Sequence, residues 1–393
     1  MTKRPDDICV RPERPLDPGS RPLATPLCPS TVYHCDSPEH AEQLLTGQTD
    51  GYVYSRYTHP NQQQLAEKCA ELHGGDHATV TGSGMAALSL AMVALLEQGD
   101  HVVVSRELYG KSLQLFGREA NRLGITSTLV DANNLEDVQA AIESNTKLVV
   151  VETISNPMLR VANIQGLADI AHGGGARLLV DNTFASPVVC RPIECGADFV
   201  MESITKIMNG HSDVMLGVLT GKNADWDRVE LAYSTWGFFA SPWDCWLATR
   251  GLGTLALRME RAAKNAAAVA NLLSKHATVE SVRYPGLDNH PDRDLARSQL
   301  HTAGNMVTFT LPGGSAAVSR FMEAAQEIPF CPSLGELCTT LSHPATTSHV
   351  GLDREDREQL DIFDGTIRLS IGVESPEHIL SALETGLAAA ASV

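Results

Sequence analysis

Short apolar runs alternate with helical patterns between residues 78 and 181, and this alternation constrains the fold more than any other feature. The runs VVV, LVVV and LLV end just before Ser105, Glu152 and Asp181 and show no alternation of polar and apolar residues. Continuous runs of this kind are typical of parallel strands that are buried on both faces. Because neighbouring parallel strands need crossover connections, the sequence predicts a mainly parallel α/β sheet with right-handed crossovers.

The chain of 393 residues is too long for one small core, which favours two or three domains. Residues 1–60 are rich in proline and predict an irregular arm that either is free or lies on another surface, such as a partner subunit. The prolines of this arm are at 5, 12, 15, 18, 22, 26 and 29. Residues 61–250 form the predicted large domain. One long helix over residues 243–273 is expected to lead into a smaller α+β domain of residues 251–393. Strands of that domain are expected at 279–284, 306–311 and 366–371.

Charge and cysteine content exclude several classes of function. The net charge is −17 at pH 7 and Lys and Arg form no cluster, which argues against nucleic acid or an anionic membrane as a partner. The longest apolar run, Leu88–Leu96, is too short to cross a bilayer, and residues 1–15 lack the apolar core of a signal peptide. The 9 cysteines form no C-x-x-C pair, so neither disulfides nor a metal site are predicted, and a cytoplasmic location is expected.

One lysine is placed for chemistry on a carbonyl group. The stretch Asp198–Gly217 begins with a short apolar strand and continues through a turn that carries Ser203, Thr205 and Lys206. A second run that resembles a strand is expected over residues 214–219. Burial lowers the pKa of an amine, and the neutral amine can then attack a carbonyl. The same S-x-T-K letters also occur in ordinary surface turns, so the interpretation depends on the residues that accompany Lys206.

A turn that contains glycines precedes a predicted helix. In Thr81–Ala86, TGSGMA, the glycines allow close approach of the backbone, and N–H groups at a helix start bind phosphate well. Ser83, Gly84 and Met85 are therefore candidate cofactor contacts. The same letters match G-x-G-x-x-A, with Glu107 after the next strand, so an NAD-dependent dehydrogenase is an alternative. A tight turn without a ligand is a second alternative.

Asp181 ends a predicted buried strand, where open α/β sheets bind their ligands. Alone, it is equally compatible with a cap for the following segment. Together with Lys206 and the glycine turn it has a more specific meaning. Pyridoxal 5′-phosphate requires a lysine for its aldehyde, an acid that keeps its ring nitrogen protonated, and a phosphate site. The three groups favour this cofactor over a chance combination.

Three further residues fit the same interpretation, although each has an ordinary alternative. Asn156 follows a strand and could bond the phenolic oxygen of the cofactor, or it could simply form a turn with Pro157. Tyr109 could stack on a flat ring or belong to the core. Arg368 lies within a hydrophobic strand, where it is costly unless it meets an anion; a substrate carboxylate and an internal ion pair are both compatible.

Together these stretches resemble the Cys/Met-metabolism family of pyridoxal-phosphate enzymes. Its members include cystathionine γ-synthase, cystathionine γ- and β-lyases, methionine γ-lyase and O-acetylhomoserine sulfhydrylase. The likeness extends from Pro-Leu-x-x-Ser-Thr at residues 26–31 to Arg-Leu-Ser-Ile-Gly-Val-Glu at residues 368–374. The resemblance implies an α/β fold of the pyridoxal-phosphate-dependent transferase type I. Such a fold has a mainly parallel sheet of the seven-stranded type in a large domain and a smaller α+β C-terminal domain.

The resemblance also implies roles for residues that bind the cofactor. Lys206 would form the Schiff base with pyridoxal phosphate and move protons during the reaction. Asp181 would pair with the ring nitrogen, and Tyr109 would stack on the ring. Phosphate and nearby contacts would come from Ser83, Gly84, Met85, Ser203 and Thr205.

Further roles implied by the resemblance concern the substrate and a second subunit. Ser333 and Arg368 would receive the carboxylate of an amino-acid substrate, with Asn156 close by. Tyr54 and Arg56 would reach the phosphate in the neighbouring subunit. The arm would then be ordered, and the protein would be a homo-oligomer, a dimer at least and usually a tetramer.

Two departures from the family pattern affect the expected substrate. Lys111 stands where many relatives carry Gly or Cys and could favour a distal carboxylate, such as that of an O-succinyl ester. Pro332 stands where cystathionine enzymes often carry Glu, which removes a contact for a distal amine. The main prediction is γ-replacement or γ-elimination on homoserine esters or sulfur amino acids, as in cystathionine γ-synthase and γ-lyase. Methionine γ-lyase and cystathionine β-lyase are alternatives, and a catalytically silent binding module is another.

Overall fold

A computed structural model describes residues 20, 22–222 and 224–392 of the chain. The first third of the predicted arm therefore lies outside the described residues, together with Cys9 and the prolines at 5, 12, 15 and 18. The described part of the arm contains one helix, Pro38–Leu45, and an isolated antiparallel bridge between Val32 and Tyr54. In the described part of the chain no helix has the length and apolar character of a membrane span.

A seven-stranded sheet is the main structural element. Its strands are β1 His77–Thr81, β2 His101–Ser105, β3 Thr126–Val130, β4 Thr146–Glu152, β5 Arg177–Asp181, β6 Phe199–Glu202 and β7 Gly217–Gly221. They lie in the order β1-β7-β6-β5-β4-β2-β3, and only β7 runs against its neighbours. The predicted mainly parallel α/β fold with a seven-stranded sheet is therefore confirmed.

Successive residues of the central strands pack on opposite faces of this sheet. In β4, Val149 and Val151 belong to the apolar core that includes the helix Ile164–Gly173. Their neighbours in β4, Leu148 and Val150, belong to the core that includes the helix Gly84–Leu95. Both faces are covered, which explains why the strands read as continuous apolar runs without polar alternation.

A second sheet of four antiparallel strands is formed by the last third of the chain. Its strands are β8 Ser281–Arg283, β9 Met306–Thr310, β10 Thr340–Ser342 and β11 Thr366–Ser370, in the order β10-β11-β9-β8. The sequence predicted β8, β9 and β11, but β10 was missed because three residues are too few for a periodic signal. This sheet supports the predicted α+β character, whereas the domain boundaries at 60/61 and 250/251 stay predictions.

Helices surround both sheets. The α-helices are Pro38–Leu45, Pro60–His73, Gly84–Leu95, Gly110–Gln114, Ala120–Arg122, Leu135–Ala141, Ile164–Gly173, Ser186–Val189, Trp226–Trp236, Pro242–Leu252, Leu255–Leu273, Arg293–Gln299, Gly314–Ala324, Arg354–Gln359 and Pro376–Ala390. A π-helical turn spans Leu115–Glu119, and 3₁₀ turns span Pro192–Cys195 and Pro344–Thr346.

The single long helix expected over residues 243–273 is wrong. The structure has two helices here, Pro242–Leu252 and Leu255–Leu273, separated by Gly253 and Thr254. Glycine is a weak helix former, and the N–H of Gly253 bonds to the carbonyl of Arg250, as at a helix end. The helix after the break carries Arg258, which contacts the segment that follows Lys206.

Candidate active site

A cavity of about 650 Å³ opens at the carboxyl ends of β4, β5 and β6. Both sheets contribute to its wall, because Glu152 and Asp181 come from the large sheet and Arg368 from the small one. Most predicted site residues line it. They are Ser83, Gly84, Met85, Tyr109, Asn156, Asp181, Ser203, Thr205, Lys206, Ser333 and Arg368.

Lys206 lies in the turn after β6, and its side chain enters the cavity. Its Nζ donates a hydrogen bond to Oγ of Ser333 at 2.9 Å. Burial lowers the pKa of Lys206; the negative charge of Glu336 opposes this shift, and the positive charge of Arg368 adds to it. A larger fraction of neutral amine is therefore present near neutral pH than in a lysine exposed to water.

Two side chains, those of Thr205 and Arg258, hold the backbone of this turn. The hydroxyl of Thr205 donates to the carbonyl of Leu216 at 3.1 Å and accepts the N–H of Leu216 at 3.0 Å. The backbone of Leu216 thus bonds to the side chain of Thr205. The strand expected over 214–219 begins only at Gly217, as β7. From the other side, Arg258 donates to the carbonyls of Ile207 and Met208 at 2.8 Å each. Arg258 was not predicted as a site residue, because its helical sequence context does not distinguish it from surface arginines.

Asp181 is the last residue of β5 and is buried at the cavity floor. Its Oδ1 accepts the N–H of Thr183 at 3.0 Å. Burial raises the pKa of Asp181, and the hydrogen bonds from Thr183 oppose that shift. A buried carboxyl group without a cation of its own can pair with a positive charge that a ligand brings.

The start of the helix Gly84–Leu95 forms one end of the cavity. Ser83 caps this helix by accepting the N–H of Ala86 at 3.1 Å, and the N–H groups of the first turn have no partners within the helix. A Cβ on Gly84 would lie 2.8 Å from Cβ of Ser203. The missing side chain therefore allows the helix start to approach Ser203, which gives this end of the cavity the character of an anion site.

Arg368 is buried in β11 and reaches across to the large sheet. Its Nη1 donates to Oδ1 of Asn156 at 2.7 Å, and its Nη2 donates to the carbonyl of Ser333 at 2.8 Å. Its Nε is buried and has no partner among the described residues. Burial lowers the pKa of Arg368 to about 10. Among the described residues its hydrogen-bond partners are an amide and a carbonyl, and no carboxylate pairs with this guanidinium as the sequence alternative of an internal ion pair would require.

Tyr109 and Asn156 are linked by Glu152, which was not among the predicted site residues. Glu152 ends β4, and its Oε1 accepts the N–H of Tyr109 at 2.8 Å. Its Oε2 accepts the N–H of Asn156 at 3.1 Å. Burial raises the pKa of Glu152 well above its ordinary value, and the neighbouring charge of Asp181 adds to this effect. The position of Glu152 at the end of a buried strand was the sequence signal that could have identified it as a site residue.

Three predicted residues are not in the wall of this cavity. Arg56 donates to the carbonyl of Ser234 at 2.7 Å and lies against the rings of Tyr54 and Tyr57. Lys111 is exposed, and its Nζ donates to Oε1 of Gln114 at 3.0 Å. Lys111 therefore does not line the cavity of its own chain, and its expected role as a cation of the substrate pocket stays a prediction.

The family described as "Cys/Met metabolism PLP-dependent enzyme" matches residues 6–388.

The chain belongs to this family.

Individual relatives in the family differ in activity. The chain is 40% identical to an L-methionine γ-lyase of Porphyromonas gingivalis, over 93% of this chain and 92% of the relative. It is 39% identical to an O-succinylhomoserine sulfhydrylase of Pseudomonas aeruginosa, over 89% and 87% of the two chains. A crystal structure of cystathionine γ-synthase from Xanthomonas oryzae pv. oryzae has a TM-score of 0.89 and 36% identity, with 94% of each chain covered.

Membership of the Cys/Met metabolism family makes this chain a pyridoxal-phosphate enzyme of sulfur amino-acid metabolism. The site residues fit that cofactor, because a buried acid, a desolvated lysine and a helix start that is open to an anion face one cavity. The dehydrogenase alternative is rejected, as is the binding-module alternative. Glu107, which a dinucleotide site would have used, instead accepts a hydrogen bond from Asn133 at 3.0 Å.

Proposed function

We propose that this enzyme catalyses γ-elimination or γ-replacement on sulfur amino acids or homoserine esters, as cystathionine γ-lyases and γ-synthases do. One observation carries the proposal. Ser333 contacts both Lys206, through its hydroxyl, and Arg368, through its carbonyl. An amine that can move protons and a guanidinium that can hold a carboxylate thus lie on two sides of one residue. This spacing suits an α-amino acid, whose carboxylate is one bond away from the carbon that loses a proton.

The residues of the cavity divide the work. Pyridoxal phosphate, when bound, withdraws electrons from the α-carbon of an amino acid and acidifies its proton. Lys206 would accept that proton at Nζ and carry it along the substrate, which its lowered pKa favours. Asp181 would hold a proton at the ring nitrogen of the cofactor. Tyr109 would cover the ring and exclude water from one face.

The remaining cavity residues would bind the anionic groups of cofactor and substrate. The phosphate would be held by backbone N–H groups of Gly84 and Met85 and by the hydroxyl of Ser203, with Ser83 and Thr205 shaping that end. Arg368 would bind the substrate carboxylate through its fork. Asn156 already orients that fork through its 2.7 Å hydrogen bond.

We further propose that the enzyme is a homo-oligomer, at least a dimer and most simply a tetramer, in which Tyr54 and Arg56 complete the site of a neighbouring subunit. Both lie outside the cavity of their own chain, and Tyr54 is exposed. Mixing Arg56→Ala subunits with Lys206→Ala subunits tests this arrangement. Heterodimers would regain one intact site, and activity would return to about a quarter of the wild-type value. No recovery would contradict the proposal.

A cytoplasmic location is proposed as well. The described cysteines are all free thiols, which is typical of a reducing compartment. Fractionation of cells that express the full chain tests this location.

Methionine γ-lyase is a second candidate, and the lining of the cavity favours it. The charged residues that line the cavity in the described part of the chain are Glu152, Asp181, Lys206 and Arg368. Each of these four residues lies near the groups proposed to hold the cofactor or the substrate carboxylate, and Lys111 does not line the cavity of its own chain. A neutral side chain, such as the thioether of methionine, therefore leaves no charge unpaired, whereas an O-succinyl ester would bury a carboxylate without a partner.

A product assay distinguishes these reactions. The purified holoenzyme is given O-succinyl-, O-acetyl- and O-phosphohomoserine, each with and without cysteine, and cystathionine or methionine alone. A 2-oxo acid and ammonia from methionine or cystathionine alone establish a lyase. Cystathionine that accumulates only with an ester and cysteine establishes a synthase. Lys206→Ala is the negative control and is expected to lose at least about 10³-fold in kcat. Turnover of none of these compounds would overturn the proposal.

A further inference from the structure

Glu152 occupies an unusual position beside the cofactor site. It pairs in register with Asp181 on the adjacent parallel strand, so two buried carboxyl groups lie side by side at the cavity floor. Burying a second acid next to the first is costly. Asp181 alone suffices to pair with the ring nitrogen, so Glu152 needs a separate explanation.

Both oxygens of Glu152 are occupied by backbone groups from two different loops. Oε1 accepts the N–H of Tyr109, which is 43 residues earlier in the chain, and Oε2 accepts the N–H of Asn156. Tyr109 starts the helix Gly110–Gln114 and has no side-chain cap of its own. Glu152 therefore connects the loop that carries Tyr109 to the loop that carries Asn156.

From Asn156 the hydrogen bonds continue to the opposite wall of the cavity. Asn156 accepts from Arg368 at 2.7 Å, Arg368 donates to the carbonyl of Ser333 at 2.8 Å, and Ser333 accepts from Lys206 at 2.9 Å. One connected set of contacts thus extends from Tyr109 to Lys206, and Glu152 is the link between the aromatic residue and the rest.

We propose that Glu152 is a positioning residue that holds Tyr109 over the cofactor ring and, through Asn156, holds Arg368 in register with the substrate carboxylate. The carboxyl group is suited to this role because each of its two oxygens can accept one N–H group. A glutamine would present its amide NH₂ to one of those donors, and an aspartate would be shorter by one methylene. The inference rests on the proposed function for the tasks of Tyr109 and Arg368.

The test compares Glu152→Gln with the wild-type holoenzyme. Visible circular dichroism of bound pyridoxal phosphate reports the orientation of the ring, and steady-state kinetics on the best substrate of the product assay separate KM from kcat. We expect Glu152→Gln to bind one cofactor per subunit with a visible dichroic band altered at least twofold. KM is expected to rise by about 10-fold or more, since one loop contact is lost.

Asp198→Asn is the matched control. Asp198 also accepts a backbone N–H across the same sheet, from Leu178 at 2.8 Å, but it lies at the end of the sheet opposite the cavity. This variant should lower the melting temperature without changing the dichroic band or KM. If Glu152→Gln does not fold, Glu152→Asp is measured in the same way and is expected to change both quantities in the same direction.

Unchanged dichroism and KM in the Glu152 variant would overturn the inference, as would equal changes in Asp198→Asn. The dichroism needs only bound cofactor and no turnover. It therefore judges the role of Glu152 even if the product assay rejects the proposed reaction, and the two failures remain distinguishable.

Discussion

The Nζ of Lys206 lies 2.9 Å from Oγ of Ser333, although 127 residues separate them in the chain. Lys206 follows the last parallel strand of the large sheet, and Ser333 lies in the loop before β10 of the small sheet. The lysine therefore reaches its observed position only when the two sheets have packed against each other. Ser333 contacts both Lys206 and Arg368, the residue proposed to bind the substrate carboxylate.

Replacing Ser333 with alanine removes the acceptor that orients Lys206. A buried donor that loses its partner costs about 1–3 kcal/mol, so we expect kcat/KM to fall by about 10- to 100-fold. Steady-state kinetics at saturating cofactor measure the effect. Ser319→Ala is the control, because its exposed hydroxyl bonds only within the helix Gly314–Ala324. Wild-type kcat/KM in Ser333→Ala would contradict the assigned contact.

Gly84→Ala tests the anion site at the helix start. Its Cβ would lie 2.8 Å from Cβ of Ser203, so the helix must move away from the turn that carries Ser203. We expect the dissociation constant of pyridoxal phosphate to rise by about 10-fold or more, because backbone donors act only over a short distance. Reconstitution of the apoenzyme measures it. Gly117→Ala, where a Cβ meets no atom within 4 Å, should leave it unchanged.

Arg258→Met removes the buried donor that holds the segment after Lys206. The carbonyls of Ile207, Met208 and Gly251 would lose their partner, and unpaired buried acceptors cost about 1–3 kcal/mol each before relaxation. We expect the free energy of unfolding to fall by about 2–4 kcal/mol and kcat to fall with it. Urea denaturation of the holoenzyme measures the first. Arg261→Met, on the same helix but exposed, should change stability little; equal losses would reject the role of Arg258.

Asp292 predicts a pH dependence of stability. Burial alone would raise the pKa of Asp292, but hydrogen bonds from Arg160 and Val161 and nearby positive charge lower it below its ordinary value. Because the folded pKa lies below the unfolded pKa of about 3.9, the stabilisation is complete above that pH and is lost as pH falls through the folded value.

Asp292→Asn is therefore expected to unfold about 1–2 kcal/mol more easily than wild type between pH 5 and 7, after allowance for solvent around the partly exposed Arg160. The difference should shrink below about pH 4. Urea denaturation across this pH range measures it. Asp288→Asn is the control, because Asp288 is exposed and its pairs with Arg293 and Arg297 lie on the surface. A difference that does not vary with pH would contradict the explanation.

Much of the fold was predictable because its signals are local. The apolar runs located β2, β4 and β5 to within two residues. The break between Pro242–Leu252 and Leu255–Leu273 was not, because two glycines within a strongly helical pattern carry a weak signal. The three-residue strand Thr340–Ser342 was missed for a related reason: its pairing with β11 is decided at a distance.

The residues of the candidate site also separate into those with a local sequence signal and those without one. Lys206, Asp181 and the turn at Ser83 were recognisable from residue type and from their positions at strand ends. Glu152 and Arg258 were not selected, because each acts through backbone groups of distant segments. Which backbone groups those are is not encoded near either residue.

By itself, the sequence determined the type of sheet, the cofactor class and the residues at strand ends, because hydrophobic period and motif spacing are properties of neighbouring residues. Only the tertiary structure decided that Arg368 bonds Asn156 and Ser333 and that Glu152 joins the loop of Tyr109 to that of Asn156. Those contacts join segments far apart in the chain, and they form because packing the two sheets together buries polar groups that must then find partners.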